Sequence, residues 1–232
     1  MIPLYLNQKD STMGKIKLKR AFRVLGDLGY IGKFDSPDVA IGDVYTWHDG
    51  RWHYLESLKE EIDFEQYIRE SEPVDMKYIT DSEVNVKIGV SGATGVAKGN
   101  ILLSFNKNKS AFIYLKDTVT RQLAVGEIAM ELAGIWNEKG YSRKKHAFCT
   151  EVVKAQSGTV IFSMKKNNSI EIAAKNQGGI LTDIADVASG DVKIVSNKSQ
   201  YFEMISKNPF EPLYKAVNIV GTRDKPKFDW VK

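Results

Sequence analysis

Residues 83–91, Glu83-Val-Asn-Val-Lys-Ile-Gly-Val-Ser91, alternate without a break. Val84, Val86, Ile88 and Val90 point one way; Glu83, Asn85, Lys87, Gly89 and Ser91 point the other. Side chains in a strand change faces at every residue, so this stretch is a strand with one apolar and one polar face. A glycine-rich tip follows, from Gly92 through Gly95 to Gly99. Then come Ile101-Leu-Leu-Ser-Phe105, a polar turn Asn106-Lys-Asn-Lys-Ser110, and Ala111-Phe-Ile-Tyr-Leu115. The pattern predicts an antiparallel meander across 83–117.

The rest of the chain arranges itself around that meander. Leu18, Ala21, Phe22, Leu25 and Leu28 recur at spacings of three and four, which predicts a helix over 12–29 with Gly29 as its C-cap. Asp49-Gly50 is a hairpin turn signal between residues 43 and 55. A two-residue loop there pairs Trp47 with Trp52 and Tyr45 with Tyr54 on one face. Residues 56–70 are acidic and read as helical or irregular, with Leu58, Ile62, Phe64 and Tyr67 inward. Val125, Ile128, Leu132, Ile135 and Trp136 predict a second helix over 118–139, capped by Thr118 or Thr120 and ended by Gly140. Strands are expected over 146–155, 158–164, 169–174, 180–187, 192–195 and 213–220. Pro209 and Pro212 interrupt the chain before the last strand. The fold class expected is α+β, a twisted, mainly antiparallel sheet of amphipathic strands edged by two or more helices. One domain spans 1–221, and 222–232 forms a short charged tail anchored by Phe228 and Trp230.

Composition narrows the chemistry. A chain of 232 residues that is 43 % apolar and 27 % charged can bury a core. Its net charge of +4 suits an anionic surface. The single cysteine, Cys149, excludes an internal disulfide framework and permits a reducing cytosol. No apolar run is long enough for a membrane-spanning helix. Gly89, Gly92, Gly95 and Gly99 do not make a phosphate-binding loop, because no Gly-Lys-Ser/Thr follows and the next element is a strand. His146 and Cys149 fall on opposite faces of a strand, and Cys149 reads as a small buried apolar residue. Asp43, His48, Asp49 and His53 are poor metal ligands in this register, since the histidines do not face each other across the hairpin. No catalytic residue, metal site or cofactor is expected, and no nucleic-acid partner.

The order of elements resembles that of the bacterial gasdermins, small pore-forming cell-death proteins. It runs from a basic amphipathic helix ending in Leu28-Gly29-Tyr30 through a short hairpin, an amphipathic strand pair, a helix, a second strand set and a short tail. The chain departs from the family at Met1–Asp10, which holds no cysteine to accept an acyl chain. The resemblance implies a cytoplasmic, non-enzymatic cell-death or antiviral defence protein that oligomerises with itself in the inner face of the cell membrane. Lys15, Lys17, Lys19, Arg20 and Arg23 would bind anionic lipid, and Val84, Val86, Ile88 and Val90 would face hydrocarbon. The tail would be autoinhibitory, with Arg223, Lys225 and Lys227 as the region open to an activating protease. A soluble sheet with one wet face carries the same alternation. The second expectation is therefore a non-enzymatic protein-interaction module of immunity or adaptor type that works through the aromatic hairpin.

Replacing Lys15, Lys17, Lys19, Arg20 and Arg23 by glutamine should weaken sedimentation with anionic liposomes without lowering the melting temperature, since each basic residue near such a surface contributes about 1 kcal/mol. Unchanged liposome binding removes that stretch from any membrane role.

Overall fold

The computed structural model of the chain describes residues 31–32, 39–48, 51–80, 84–89, 97, 99–107, 110–142, 144–163, 165–175, 180–181, 183–197, 201–222 and 224–231. The strands in its first half are β1 (Ile31–Gly32), β2 (Asp43–His48), β3 (Arg51–Ser57), β4 (Ile68–Glu70), β5 (Val74–Ile79), β6 (Val84–Ile88), β7 (Ile101–Phe105) and β8 (Ser110–Leu123). After the helix α1 (Ala129–Glu138) come β9 (His146–Ala155), β10 (Ser157–Ser163), β11 (Asn168–Ala174), β12 (Val192–Asn197), β13 (Tyr201–Ser206), β14 (Phe210–Thr222) and β15 (Lys225–Trp230).

β8 is the spine. Along one edge it pairs with β9 and β10, which follow each other with only Gln156 between them. The Gln156 amide donates to the Lys116 carbonyl at 3.0 Å, so the ladder is not interrupted there. Pairing runs from Gln122↔Glu151 through Ser157↔Lys116 to Ser110↔Ser163, each step forward on one strand matched by one step back on the other. The same register resumes beyond 106–109 and 164–167, where Phe105 pairs with Asn168 and Ile101 with Ile172. β7–β8 and β9–β10–β11 are therefore two long strands of one ribbon. Along the other edge of β8 lie β4 and β5, from Ile68↔Leu123 to Ile79↔Phe112. The outer strands do change register near the corner, to Val84↔Phe105 on one side and Ile170↔Asn197 on the other.

The ribbon folds over at that corner. Its far end forms a four-stranded tip sheet, in the order β12-β11-β7-β6, separate from the eleven-stranded body sheet. Ile101, Leu103, Phe105, Ile170 and Ile172 of the tip sheet pack on Phe112 and Ile161 of the body, all fully buried. The inward residues are odd-numbered on β7 and even-numbered on β8, and β10 and β11 make the matching switch. Asn167, at φ 57, lies at the switch. Asparagine enters the left-handed region more readily than other non-glycine residues. The opposite face of β8 and β10 carries a second core of Ala111, Ile113, Leu115, Val160 and Phe162. A third cluster joins α1 to β2, β9 and β14 through Leu132, Trp136, Val44, Phe148 and Val217.

The described residues correct the expected α+β class with two or more edging helices. They are dominated by antiparallel strands, and α1 is the single α-helix among them. The helix expected over 12–29 lies outside the described residues. The helix expected over 118–139 begins only at Ala129, because β8 runs on to Leu123 and a 3-10 turn, Val125–Ile128, precedes α1. Thr118 and Thr120 are ladder residues rather than caps. Thr118 Oγ1 donates to the Val74 carbonyl, and the Thr120 amide donates to Ser71 Oγ. The β-branched run Thr118-Val119-Thr120 favours this extended state. The far end of α1 is as expected: Gly140 takes φ 68, and the Tyr141 amide donates back to the Trp136 carbonyl at 3.1 Å.

Three strand expectations also change. β7 and β8 are not neighbours in a meander, since the polar 106–110 stretch carries the chain from one sheet to the other. The strand expected over 180–187 is a 3-10 segment, Ile184–Ser189, begun by the side chain of Asp183 and ended by Gly190. Pro212 lies inside β14 at a register shift between Phe210 and Leu213, where the missing N–H is tolerated. Phe105→Ala should lower unfolding free energy by about 3–5 kcal/mol, the range for emptying a fully buried phenylalanine site. Urea melts of the two proteins measure this directly.

Candidate functional site

The tip sheet is built of two hairpins. β6 pairs with β7, β11 pairs with β12, and β7 and β11 meet at the centre. On β6, Val84, Val86 and Ile88 pack against the core beneath the tip sheet, while Asn85 and Lys87 are exposed. Val90, the fourth residue of the expected apolar face, lies outside the described residues. The outer face carries Ser104, Ser169 and Glu171, and Asn100 Nδ2 donates to Glu171 Oε1 at 2.7 Å. One face is thus apolar and covered by the body sheet together with Leu181 and Val187. The other carries mostly polar side chains, with Leu102 half-buried between Lys87 and Glu171 and Val195 exposed on β12.

Polar groups hold the corner. Ser110, Ser163 and Asn168 are buried there. Asn168 Nδ2 donates to Ser163 Oγ at 3.0 Å, and Ser163 Oγ donates to the Lys165 carbonyl at 2.8 Å. Asn168 Oδ1 has no partner among the described residues. Thr80 Oγ1 accepts from the Ala111 amide at 2.7 Å, tying the outer strand to β8. Asn106, Lys107, Lys165 and Lys166 are exposed around this buried kernel, which gives the corner a basic rim.

Other expected sites fall elsewhere. Lys15, Lys17, Lys19, Arg20, Arg23 and Arg223 lie outside the described residues. Lys225 and Lys227 are exposed, but they belong to β15, which is hydrogen-bonded along β14 from Val217↔Trp230 to Thr222↔Lys225. Phe228 and Val231 pack into the core around α1, not into the core beneath the tip sheet. The C-terminal segment is therefore a strand of the body.

The aromatic hairpin has the register expected for it, with Trp47↔Trp52 and Tyr45↔Tyr54. The Trp47 and Trp52 rings meet edge to face at 5.1 Å, and Tyr45 stacks on Tyr214 at 6.1 Å. Tyr54 and Leu55 remain largely exposed. His48 and His53 sit diagonally, rings 6.0 Å apart, and no three His, Cys, Asp or Glu side chains converge on a metal position among the described residues. Cys149 is fully buried, and burial, reinforced by the Asp43 carboxylate, pushes its thiol pKa up. That holds it in the unreactive thiol form. No helix among the described residues is long and apolar enough to cross a membrane.

The sequence did not signal the clamp that fastens this hairpin to α1. Tyr141 donates its hydroxyl to Glu56, and Lys139 Nζ lies 2.7 Å from Glu56 and 2.8 Å from Glu61. The partners are far apart in sequence, so no local pattern could reveal them. The Tyr141 ring also packs edge to face on Trp136 at 4.8 Å.

No known family model matches the chain, and no curated protein matches it.

The Lys139 ammonium and the Tyr141 hydroxyl hold the Glu56 carboxyl below its ordinary pKa. A carboxylate whose folded pKa is depressed adds stability above its unfolded pKa and loses it as pH falls through the folded value. Thermal melts between pH 7 and pH 3 should therefore show a smaller acid-induced loss for Glu56→Gln than for the parent. Equal loss in both would show that the clamp does not contribute to acid sensitivity.

Proposed function

We propose that the chain is a non-enzymatic pore-forming protein of the cell-death or defence type. It acts from the cytoplasm on the inner face of the cell membrane and assembles there with copies of itself. One observation carries this reading: two amphipathic hairpins lie side by side in a tip sheet joined to the body through a corner in unbroken register. Swinging the tip sheet away from the body exposes the apolar faces of all four strands at once, with their backbone pairing intact. A lipid-facing sheet needs that combination, because unpaired backbone groups are too costly in hydrocarbon. Lys107, Lys165 and Lys166 at the corner suit the headgroup level and place the hydrocarbon on the tip side.

Length is the remaining requirement. A membrane-spanning strand takes about 9–11 residues, and β6 and β7 have five each. The connections 89–100 and 175–191 contain enough chain to extend all four strands. In the inserted state Val84, Val86 and Ile88 face lipid, and Asn85 and Lys87 face water. The outermost strands, β6 and β12, supply edges on which a second copy can pair. Loss of the 222–232 segment removes β15 from β14 and acts on the body, upstream of the tip sheet.

A second reading rests on the hairpin of β2 and β3. β3 pairs only with β2 among the described strands, and it displays Tyr54 and Leu55. An interaction module that recruits a protein partner through this edge leaves liposomes intact.

Dye release from anionic liposomes separates the two. Protein truncated after Thr222 should release dye faster than the full chain. Ile88→Arg should abolish release while the protein still folds as a monomer, because an arginine near the bilayer midplane costs about 2–4 kcal/mol. Lys87→Gln, on the wet face, should leave release unchanged. Release by Ile88→Arg at the parent level would mean that β6 does not enter the membrane.

A further inference from the structure

β10 is buried at every position, yet its inward face begins with two hydroxyls, Ser157 and Thr159, before Ile161. Both are taken up by the connection between β11 and β12. Ser157 Oγ donates to the Ala188 carbonyl and Thr159 Oγ1 to the Val187 carbonyl, each at 2.6 Å. These are carbonyls of the last turn of the 3-10 segment Ile184–Ser189, where the Val187 carbonyl also accepts from the Gly190 amide at 3.3 Å.

The segment is capped at both ends. The Ala185 amide donates to Asp183 Oδ1 at 3.0 Å, and the Asp183 amide donates to Asp186 Oδ2 at 2.9 Å. It ends at Gly190, φ 66, where a Cβ would collide with the Ser206 carbonyl on β13. Lys175, just after β11, donates its side chain to the Gly190 carbonyl at 3.2 Å. At the near end the Leu181 amide donates to the Gly99 carbonyl at 2.9 Å, reaching the connection between β6 and β7. Leu181 and Val187 add their side chains to the core beneath the tip sheet.

The path is notable for where it goes. Between the end of β11 at Ala174 and the start of β12 at Val192, the 3-10 segment Ile184–Ser189 lies on β8 and β10 of the body. From this we infer that the segment carrying 180–181 and 183–190 is a strap that holds the tip sheet closed on the body, with Ser157 and Thr159 as its catch. The inference rests on the reading of the tip sheet as the part that moves, and the strap restrains that sheet directly, where β15 acts only through the body. Opening requires the two hydroxyls to release Val187 and Ala188. Both hairpins then lose a shared tether, one through β11 and β12 and the other through Gly99. The same release frees the chain that would lengthen β11 and β12.

Hydrogen exchange of the full chain in solution, without lipid, tests the catch. Thr159→Val preserves shape and removes the donor; Ser157→Ala is the milder variant and serves if the first does not fold. Each should speed exchange of the β6, β7, β11 and β12 amides by about tenfold or more, while β9 and β14 keep their protection. Unchanged exchange in the tip sheet overturns the strap, whatever the protein does to liposomes. Equal acceleration in the tip sheet and in β9 and β14 also overturns it, since the hydroxyls would then only stabilise the whole fold. Selective opening without any gain in dye release keeps the strap and overturns the pore reading instead.

Discussion

Backbone pairing between residues 101–123 and 151–174 is the constraint on which the rest of the structure depends. It keeps one register from Ile101↔Ile172 to Gln122↔Glu151, through the bend at Gln156 and across the corner. Because both strands cross the corner with equal numbers of residues, neither can slip without moving every side chain beyond it to the wrong face. The shared register on the two sides of the corner thereby sets which side chains of the tip sheet and of the body face the common core. The outer strands need not obey the same rule, and they shift register where they round the bend.

The cores follow from this arrangement. β8 and β10 are covered on both faces, one by the tip sheet and the other by the cluster around Ile113 and Phe162. Where both faces are covered the sequence is apolar without alternation, at 111–115 on β8 and 160–162 on β10. β6, an edge of the tip sheet, is covered on one face only and reads as a strict alternation. Burying a large apolar side chain contributes about 1.5–3 kcal/mol. The fully buried residues beneath the tip sheet therefore make its closed position strongly favoured. A restraint that fails at two hydroxyl contacts, rather than across the whole apolar face, offers a route to opening.

Function, on this reading, is a property of the closed sheet and of what would uncover it. The described residues offer a covered amphipathic sheet, a basic corner and a separate aromatic hairpin. The C-terminal strand belongs to the body beside α1, so its influence on the tip sheet has to pass through β14 and the neighbouring strands. Cys149 lies in the core around α1, and His48 and His53 stand diagonally across the hairpin rather than as opposite partners.

The sequence by itself determined the strands whose faces differ. The alternation of Val84, Val86 and Ile88 gave β6, the Asp49-Gly50 signal gave the hairpin register, and the spacing of Ile128, Leu132 and Trp136 gave α1. These are local periodicities, and they survive in any tertiary setting. Tertiary structure alone decided where strands covered on both faces run, because uniform burial erases periodicity. It extended β8 through Thr118 and Thr120, which local capping preference would place at a helix start. It separated β7 from β8 into different sheets, because a polar stretch such as 106–110 can close a hairpin or turn a corner equally well. It also placed the 3-10 segment Ile184–Ser189 against β10, because Ser157 and Thr159, which donate to its Ala188 and Val187 carbonyls, come from a distant strand.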